Sequence, residues 1–228
     1  MFVLASCRRL TANFTTARPA MLAFVAAAIG GMAASAHATV TNGSFELPSV
    51  GGSFATFIGG STVINGWTVV GDRVTVISSS YVESGITFNS QDGGQWLDLT
   101  GPSSNQASNG VSQNVATTIG QLYRLSFYVG SASNNTSILA STVDLSIGGG
   151  TRVSFTNPTA PRTTMDWQLF TADFTATNTL TNITFFNGST PNNNLSGLDN
   201  VTLTVIPTPG AAALLGLSGL LAAGRRRR

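Results

Sequence analysis

The sequence has no lysine, one cysteine (Cys7) and one histidine (His37) among its 228 residues, and only 9% of its residues are charged. Each scarcity removes a class of chemistry. Cys7 and His37 both lie in the leading segment, so a chain cut after that segment holds no thiol, no disulfide and no imidazole. A cysteine-based metal site, a Ser–His dyad and a lysine or cysteine nucleophile are then excluded. Lack of disulfides remains compatible with export, because a domain of roughly 170 residues buries an adequate core. Charge is also unevenly placed. Arg8, Arg9 and Arg18 stand near the start and Arg225, Arg226, Arg227 and Arg228 at the end. Between them, four arginines face nine carboxylates, a net charge of −5, although the whole chain sums to +2. The isoelectric point of about 9.2 therefore describes the tails. No folded face collects basic residues in the way nucleic-acid binding requires.

The first 38 residues read as an export signal. The early arginines form a positive n-region, MLAFVAAAIGGMAA (21–34) an apolar h-region, and ASAHA (34–38) offers small-residue cleavage sites after Ala38 or after Ala36. The other end has three parts. IPTP (206–209) is a stiff, non-helical spacer. Residues 211–224 are apolar and uncharged; as a helix they would reach about 21 Å, short of a hydrocarbon core of about 30 Å. The four closing arginines then favour the cytoplasmic side. Physically this is a marginal membrane anchor on a short apolar helix.

Residues 39–205 are rich in Gly, Asn, Ser and Thr and show period-two alternation instead of a helical period. YRLSFYVG sets Tyr123, Leu125, Phe127 and Val129 against Arg124, Ser126 and Tyr128, and STVDLSIG sets Val143, Leu145 and Ile147 against Thr142, Asp144 and Ser146. QLFTADFTA puts Phe170 and Phe174 on one face, and LDNVTLTVI aligns Val201, Leu203 and Val205. Segments read as turns, GGSFATFIGG, TGPSSNQASNG, SASNNTS, GGG and NGSTPNNN, separate the strands. Some ten short strands predict an all-β, antiparallel jelly-roll sandwich. The glycine triplet at 148–150 precedes no helix and no Gly-Lys-Ser/Thr, so it is not a phosphate loop.

In QWLDL, Leu97 and Leu99 share one face and Trp96 and Asp98 the other. If the leucines enter the core, Trp96 points outward beside a carboxylate, an arrangement suited to stacking on a sugar, with Tyr81 and Tyr128 as further aromatics. The competing reading packs Trp96 under a loop. Trp67 and Trp167, at strand starts, are expected in the core or as lids. A glycosidase would need only two carboxylates, and Asp92, Asp98, Asp144, Asp166 and Asp173 supply candidates without showing which pair approaches.

Two resemblances add to these readings. Pro207, Thr208 and Pro209, the short apolar run and Arg225 to Arg228 resemble the PEP-CTERM sorting signal of Gram-negative bacteria, with Thr208 in place of the usual glutamate. That resemblance implies processing by an exosortase, transient membrane association, and release to the cell envelope or extracellular matrix. Second, TNGSFELP (41–48), INGWTVVGDRVTVI (64–77), SQDGGQWLDLTG (90–101), GVSQNVATTIGQLYRLSFYVG (110–130) and LSGLDNVTLTVI (195–206), in that order, resemble a galactose-binding-like jelly-roll family of unknown function found in plant cell-wall and bacterial exported proteins. The family resemblance implies that first and last strands are neighbours and that Ser44, Glu46 and Asp199 contribute to a structural calcium site. Calcium takes six to eight oxygen ligands, so carboxylates and carbonyls suit it. The expectation is an exported, non-enzymatic protein that binds an extracellular polysaccharide or envelope glycan and no nucleic acid. The alternatives are a structural matrix protein without a ligand site and a glycan hydrolase.

Overall fold

The computed structural model describes residues 39–102, 104–133, 140–159, 161, 163–189 and 195–207. The expected signal peptide, and the tail from Thr208 through Arg228 with its apolar helix, lie outside the described residues; Pro207 is exposed at the end of the domain. No helix occurs among the described residues.

Thirteen strands follow one another: β1 (Phe54–Ile58), β2 (Thr68–Val70), β3 (Arg73–Ser78), β4 (Val82–Glu83), β5 (Ile86–Thr87), β6 (Gln95–Asp98), β7 (Gly110–Ala116), β8 (Leu122–Ser131), β9 (Ser141–Ile147), β10 (Val153–Asn157), β11 (Asp166–Thr175), β12 (Leu180–Asn187) and β13 (Gly197–Val205). A six-stranded sheet runs β1-β3-β6-β13-β8-β11 and faces a five-stranded sheet, β10-β9-β12-β7-β2; β4 and β5 form a separate hairpin. All these pairings are antiparallel. The count exceeds the expected ten in part because β2, β4 and β5 are only two or three residues long. In addition β1 falls inside GGSFATFIGG, a segment expected to be a turn. Its glycines bound a five-residue strand that pairs in full with β3.

The alternating faces fill the space between the sheets. Tyr123, Leu125, Phe127 and Val129 of β8, Val143 and Leu145 of β9, Ile183 and Phe185 of β12, and Leu97 of β6 all lie in one buried cluster. Aromatic contacts run through its centre: Phe127 meets Phe185 edge-on at 5.0 Å and Phe155 at 5.1 Å, and Trp67 lies 6.2 Å from Phe185 and 5.5 Å from Phe45. Trp67 is thus a core residue, its indole N–H donating to the Asn42 carbonyl at 3.1 Å.

β13 departs from simple alternation. Leu198 and Val201 both face the core, although three positions apart, because a register shift between Asp199 and Thr202 changes the parity. Asn200 there adopts a φ of 49°. The opening segment docks against this bulge. Val201 N–H donates to the Gly43 carbonyl at 2.9 Å, and a Cβ on Gly43 would collide with the Val201 carbonyl. The two ends of the domain are therefore joined, as the resemblance implied, through a turn at residues 41–44 and not through a first strand.

Candidate functional site

The outer face of the six-stranded sheet is partly covered. Between β3 and β6 the chain leaves the sheet at Ser79, makes the β4–β5 hairpin, and returns at Gly94. The hairpin turn is Ser84-Gly85, with φ of 51° and 80°, the doubly positive pattern of a two-residue type I′ turn. This excursion lays Ile86 and Phe88 over Ile77 and Trp96, and Ala132 and Met165 complete a second buried cluster, flanked by Tyr81, Trp167 and Leu195.

The outward presentation expected for Trp96 is corrected here. Its ring does sit on the face opposite Leu97, but its exposure is 0%. Phe88 stacks beside it at 6.2 Å, Trp167 meets it edge-on at 5.7 Å, and its indole N–H donates to the Phe88 carbonyl at 2.9 Å. The reading that packs Trp96 under a loop describes the molecule. Trp167 serves as part of that cover, its indole N–H bonded to the Asn89 carbonyl. Tyr128 lies on the same sheet face but two strands away, opposite Leu169 of β11 and Asp199 of β13, outside the cleft described next.

Between the hairpin and the loop after β6 lies a cleft of about 550 Å³, within the range of small-ligand sites. Tyr81 and Asp98, both expected site residues, line it; Phe54 and Glu83 join them. Phe54 is 45% exposed and meets Tyr81 edge-on, centroids 5.3 Å apart and planes at 72°. Tyr81 also stacks on Phe88 at 5.8 Å, which anchors the pair to the buried cluster. The Glu83 carboxylate lines the cleft beside the Tyr81 phenol, whose acidity is weakened first by desolvation and then by that neighbouring charge.

The opposite wall is held by a polar network. Asn105 N–H and the Asn109 amide both donate to the Thr100 carbonyl at 2.8 Å; the Ser104 hydroxyl donates to Asp72 and the Asn187 amide to Asn105, also at 2.8 Å. Asp98 is almost fully buried. Its carboxylate accepts Thr100 N–H at 3.0 Å, the Thr100 hydroxyl at 2.7 Å and Ser196 N–H at 3.3 Å. Desolvation raises its pKa, and these bonds oppose the shift. Asp98 shapes the turn out of β6, and its oxygens are already engaged by the chain.

Ser44, Glu46 and Asp199 converge, but on a loop. Glu46 accepts the N–H groups of Gly94 and Gln95, each at 2.9 Å. One Asp199 oxygen accepts Gln91 and Asp92 N–H at 2.8 and 3.0 Å, and the other accepts Asn200 N–H at 2.7 Å. The Ser44 hydroxyl donates to Asp92 at 2.7 Å. Among the described residues no group of three His, Cys, Asp or Glu side chains is placed to hold a metal. Three N–H groups already address the Asp199 oxygens, so a calcium ion there would share a carboxylate that the backbone also holds. Burial pushes the Asp199 carboxyl up to about 7, with the three amides pulling it down and the Asp92 charge adding a smaller upward push.

Residues 38–204 match a family described as a protein of unknown function, DUF642. The chain belongs to that family. Comparison of this DUF642 protein with curated sequences gives no match. Among solved structures it is similar to the CBM22-1 xylan-binding domain of Paenibacillus barcinonensis Xyn10C, at 16% identity and a TM-score of 0.44, over 77% of this chain and 99% of that one. It is similar to TmCBM61, solved with β-1,4-galactotriose, at 19% identity and 0.42, over 73% and 97%. It is also similar to part of the exo-β-1,3-galactanase of Phanerochaete chrysosporium, at 16% identity and 0.41; there it covers 66% of this chain but spans only 29% of the galactanase.

Of the cleft residues, sequence reasoning missed Phe54 and Glu83. Phe54 stood in a segment dismissed as turn, although the alternating FATFI between paired glycines carried a strand signal. Glu83 was legible only through the Ser-Gly dipeptide after it, a hairpin turn that projects a carboxylate from a two-residue strand.

Proposed function

We propose that this DUF642 protein is a non-catalytic carbohydrate-binding protein, and that its glycan site is the cleft between the β4–β5 hairpin and residues 100–105. The observation that carries this reading is the accessible Phe54–Tyr81 pair beside the Glu83 carboxylate. Aromatic faces suit the C–H face of a sugar, and a few fixed polar groups around an apolar base set orientation. A binding role is favoured over hydrolysis because, of the two carboxyls in the cleft, Asp98 is saturated by Thr100 and Ser196, whereas both carboxyls of a glycosidase must act on the substrate. Export through the leading segment, exosortase-directed sorting through the tail, and residence in the envelope or matrix complete the proposal on sequence grounds.

The structural-matrix alternative has one observation of its own. On the outer face of the five-stranded sheet, Ser112, Asn182 and Thr184 hydrogen-bond one another, as do Thr142 and Thr156. Such a self-partnered hydroxyl and amide surface suits a solvated coat.

Affinity electrophoresis and calorimetry against soluble xylan, galactan, glucan and amino-sugar chains, with and without calcium, test the reading. Saturable binding that Phe54→Ala and Tyr81→Ala each weaken by roughly tenfold, from lost aromatic contact, is the expected result. Absence of binding to every chain by a folded protein would leave the matrix reading in place. Release of reducing ends would replace both with the hydrolase.

A further inference from the structure

The cleft is chemically one-sided. Among the described residues its charged lining residues are Glu83 and Asp98, and no arginine lines it. The described arginines are engaged elsewhere: Arg73 pairs with Asp72 at 2.9 Å, Arg124 with Asp173 at 2.7 Å, and Arg152 lies 3.4 Å over the Phe186 ring. With no lysine in the sequence, the described residues offer no free cation to receive a uronate or sulfate group in the cleft. What they offer is the complement of a cation. Phe54 and Tyr81 present two rings at 72°, and Glu83, exposed at the tip of a hairpin, stands against the phenol of one of them. An exposed ring, Phe54, set edge-on to Tyr81 with a carboxylate adjoining, forms a receptor for an ammonium group, which gains from the ring quadrupole and from the carboxylate at once.

We infer that the Phe54–Tyr81–Glu83 corner selects glycans carrying a protonated amino group, such as de-N-acetylated hexosamine chains, over neutral and uronate chains. This inference rests on the carbohydrate-binding reading and adds the class of ligand. Glu83 sets the specificity and the two rings supply the platform. N-acetylation removes the charge and adds bulk at the same nitrogen, so it weakens the contact twice. A uronate chain meets Glu83 with like charge.

The experiment is calorimetry of the purified full-length protein, at mildly acidic pH, against three hexamers of equal length: glucosamine, N-acetylglucosamine and galacturonate. The glucosamine hexamer is expected to bind roughly five- to tenfold more tightly than the N-acetylated one, the scale of a partly exposed cation–π contact and ion pair together, and the galacturonate hexamer not to bind. Glu83→Gln, an isosteric change at an exposed hairpin position, is expected to bring that ratio close to one with the near-ultraviolet spectrum unchanged. Asp144→Asn, on the other sheet, serves as the charge control and is expected to leave the ratio intact. Equal or tighter binding of the acetylated or uronate chain overturns the inference while the binding reading stands. So does a preference that survives Glu83→Gln, or one that Asp144→Asn lowers equally, which would be a whole-surface charge effect. Failure of all three hexamers together with the wider glycan panel overturns the binding reading and the inference with it.

Discussion

The six-stranded sheet has an apolar layer on each side, and the two layers are built by different means. The inner layer is formed by alternation: successive strands of both sheets send every second side chain into one continuous cluster centred on Phe127, Phe185 and Trp67. The outer layer is formed by excursion: residues 79–94 fold back over the sheet and help bury Trp96 among five other apolar residues. The inner layer contains no carboxylate, whereas the outer face buries two, Asp98 and Asp199. The outer layer stops short and leaves the cleft of about 550 Å³. A layer that any strand pattern produces is suited to holding the domain together. A layer added by one local excursion leaves an edge, and the edge is where the accessible aromatics and the hairpin carboxylate stand.

This contrast is open to disruption at several points. The largest effect is expected from Phe127→Ala, which empties the centre of the inner layer and should cost about 3–5 kcal/mol in denaturant unfolding, as a global loss of stability. Trp96→Ala removes a ring of similar burial from the outer layer. It should cost about 3 kcal/mol, and it should abolish glycan binding while hydrogen exchange in β8 and β12 changes less than in residues 79–94. Equal loosening of both regions would mean that the two layers behave as one.

The next effect is a dependence on pH that belongs to the outer face. The Asp199 carboxyl is raised to about 7 in the folded protein, against about 4 in an unfolded chain. The folded state therefore holds the extra proton between those values. The corresponding stability is fully present below about pH 4 and is lost as pH rises toward 7, by an amount on the order of a few kcal/mol. Asp98, shifted in the same direction by burial, adds to the slope with the same sign. Thermal unfolding from pH 4 to pH 7.5 should show a falling midpoint, and Asp199→Asn should flatten much of that fall. A midpoint that rises across this range would show that the amides on Asp199 outweigh its desolvation. The smallest effect is expected from Gly85→Ala. No atom lies within 4 Å of the added Cβ and φ is +80°, so the cost is conformational, about 1 kcal/mol, and confined to the hairpin and the cleft it borders.

The sandwich itself was largely legible. Tyr123, Leu125, Phe127 and Val129, and Val143 and Leu145, lie where their alternation places them, because a strand's facing is a local property of the backbone. Val201 and Leu203 point inward as aligned, but Leu198 joins them only through the bulge after Asp199, a change of parity that the pattern did not reveal. The candidate site was half legible. Tyr81 and Asp98 share the cleft; Trp96 stands on the expected face but under cover, and Tyr128 is two strands away. Ser44, Glu46 and Asp199 meet one loop: Ser44 bonds the Asp92 side chain, and Glu46 and Asp199 accept backbone N–H groups of residues 91–95.

By itself the sequence determined the fold class and the facing of most strands, since alternation and turn chemistry act over a few residues. It also determined that the domain is acidic and, once the leading segment is set aside, free of thiol, imidazole and lysine. Only the tertiary structure decided which outward positions stay outward. That depends on where residues 79–94 land on the sheet, a contact between segments far apart in the chain. The same long-range packing buries Trp96, saturates Asp98, turns Asp199 toward backbone amides, and leaves Phe54, Tyr81 and Glu83 at the open edge.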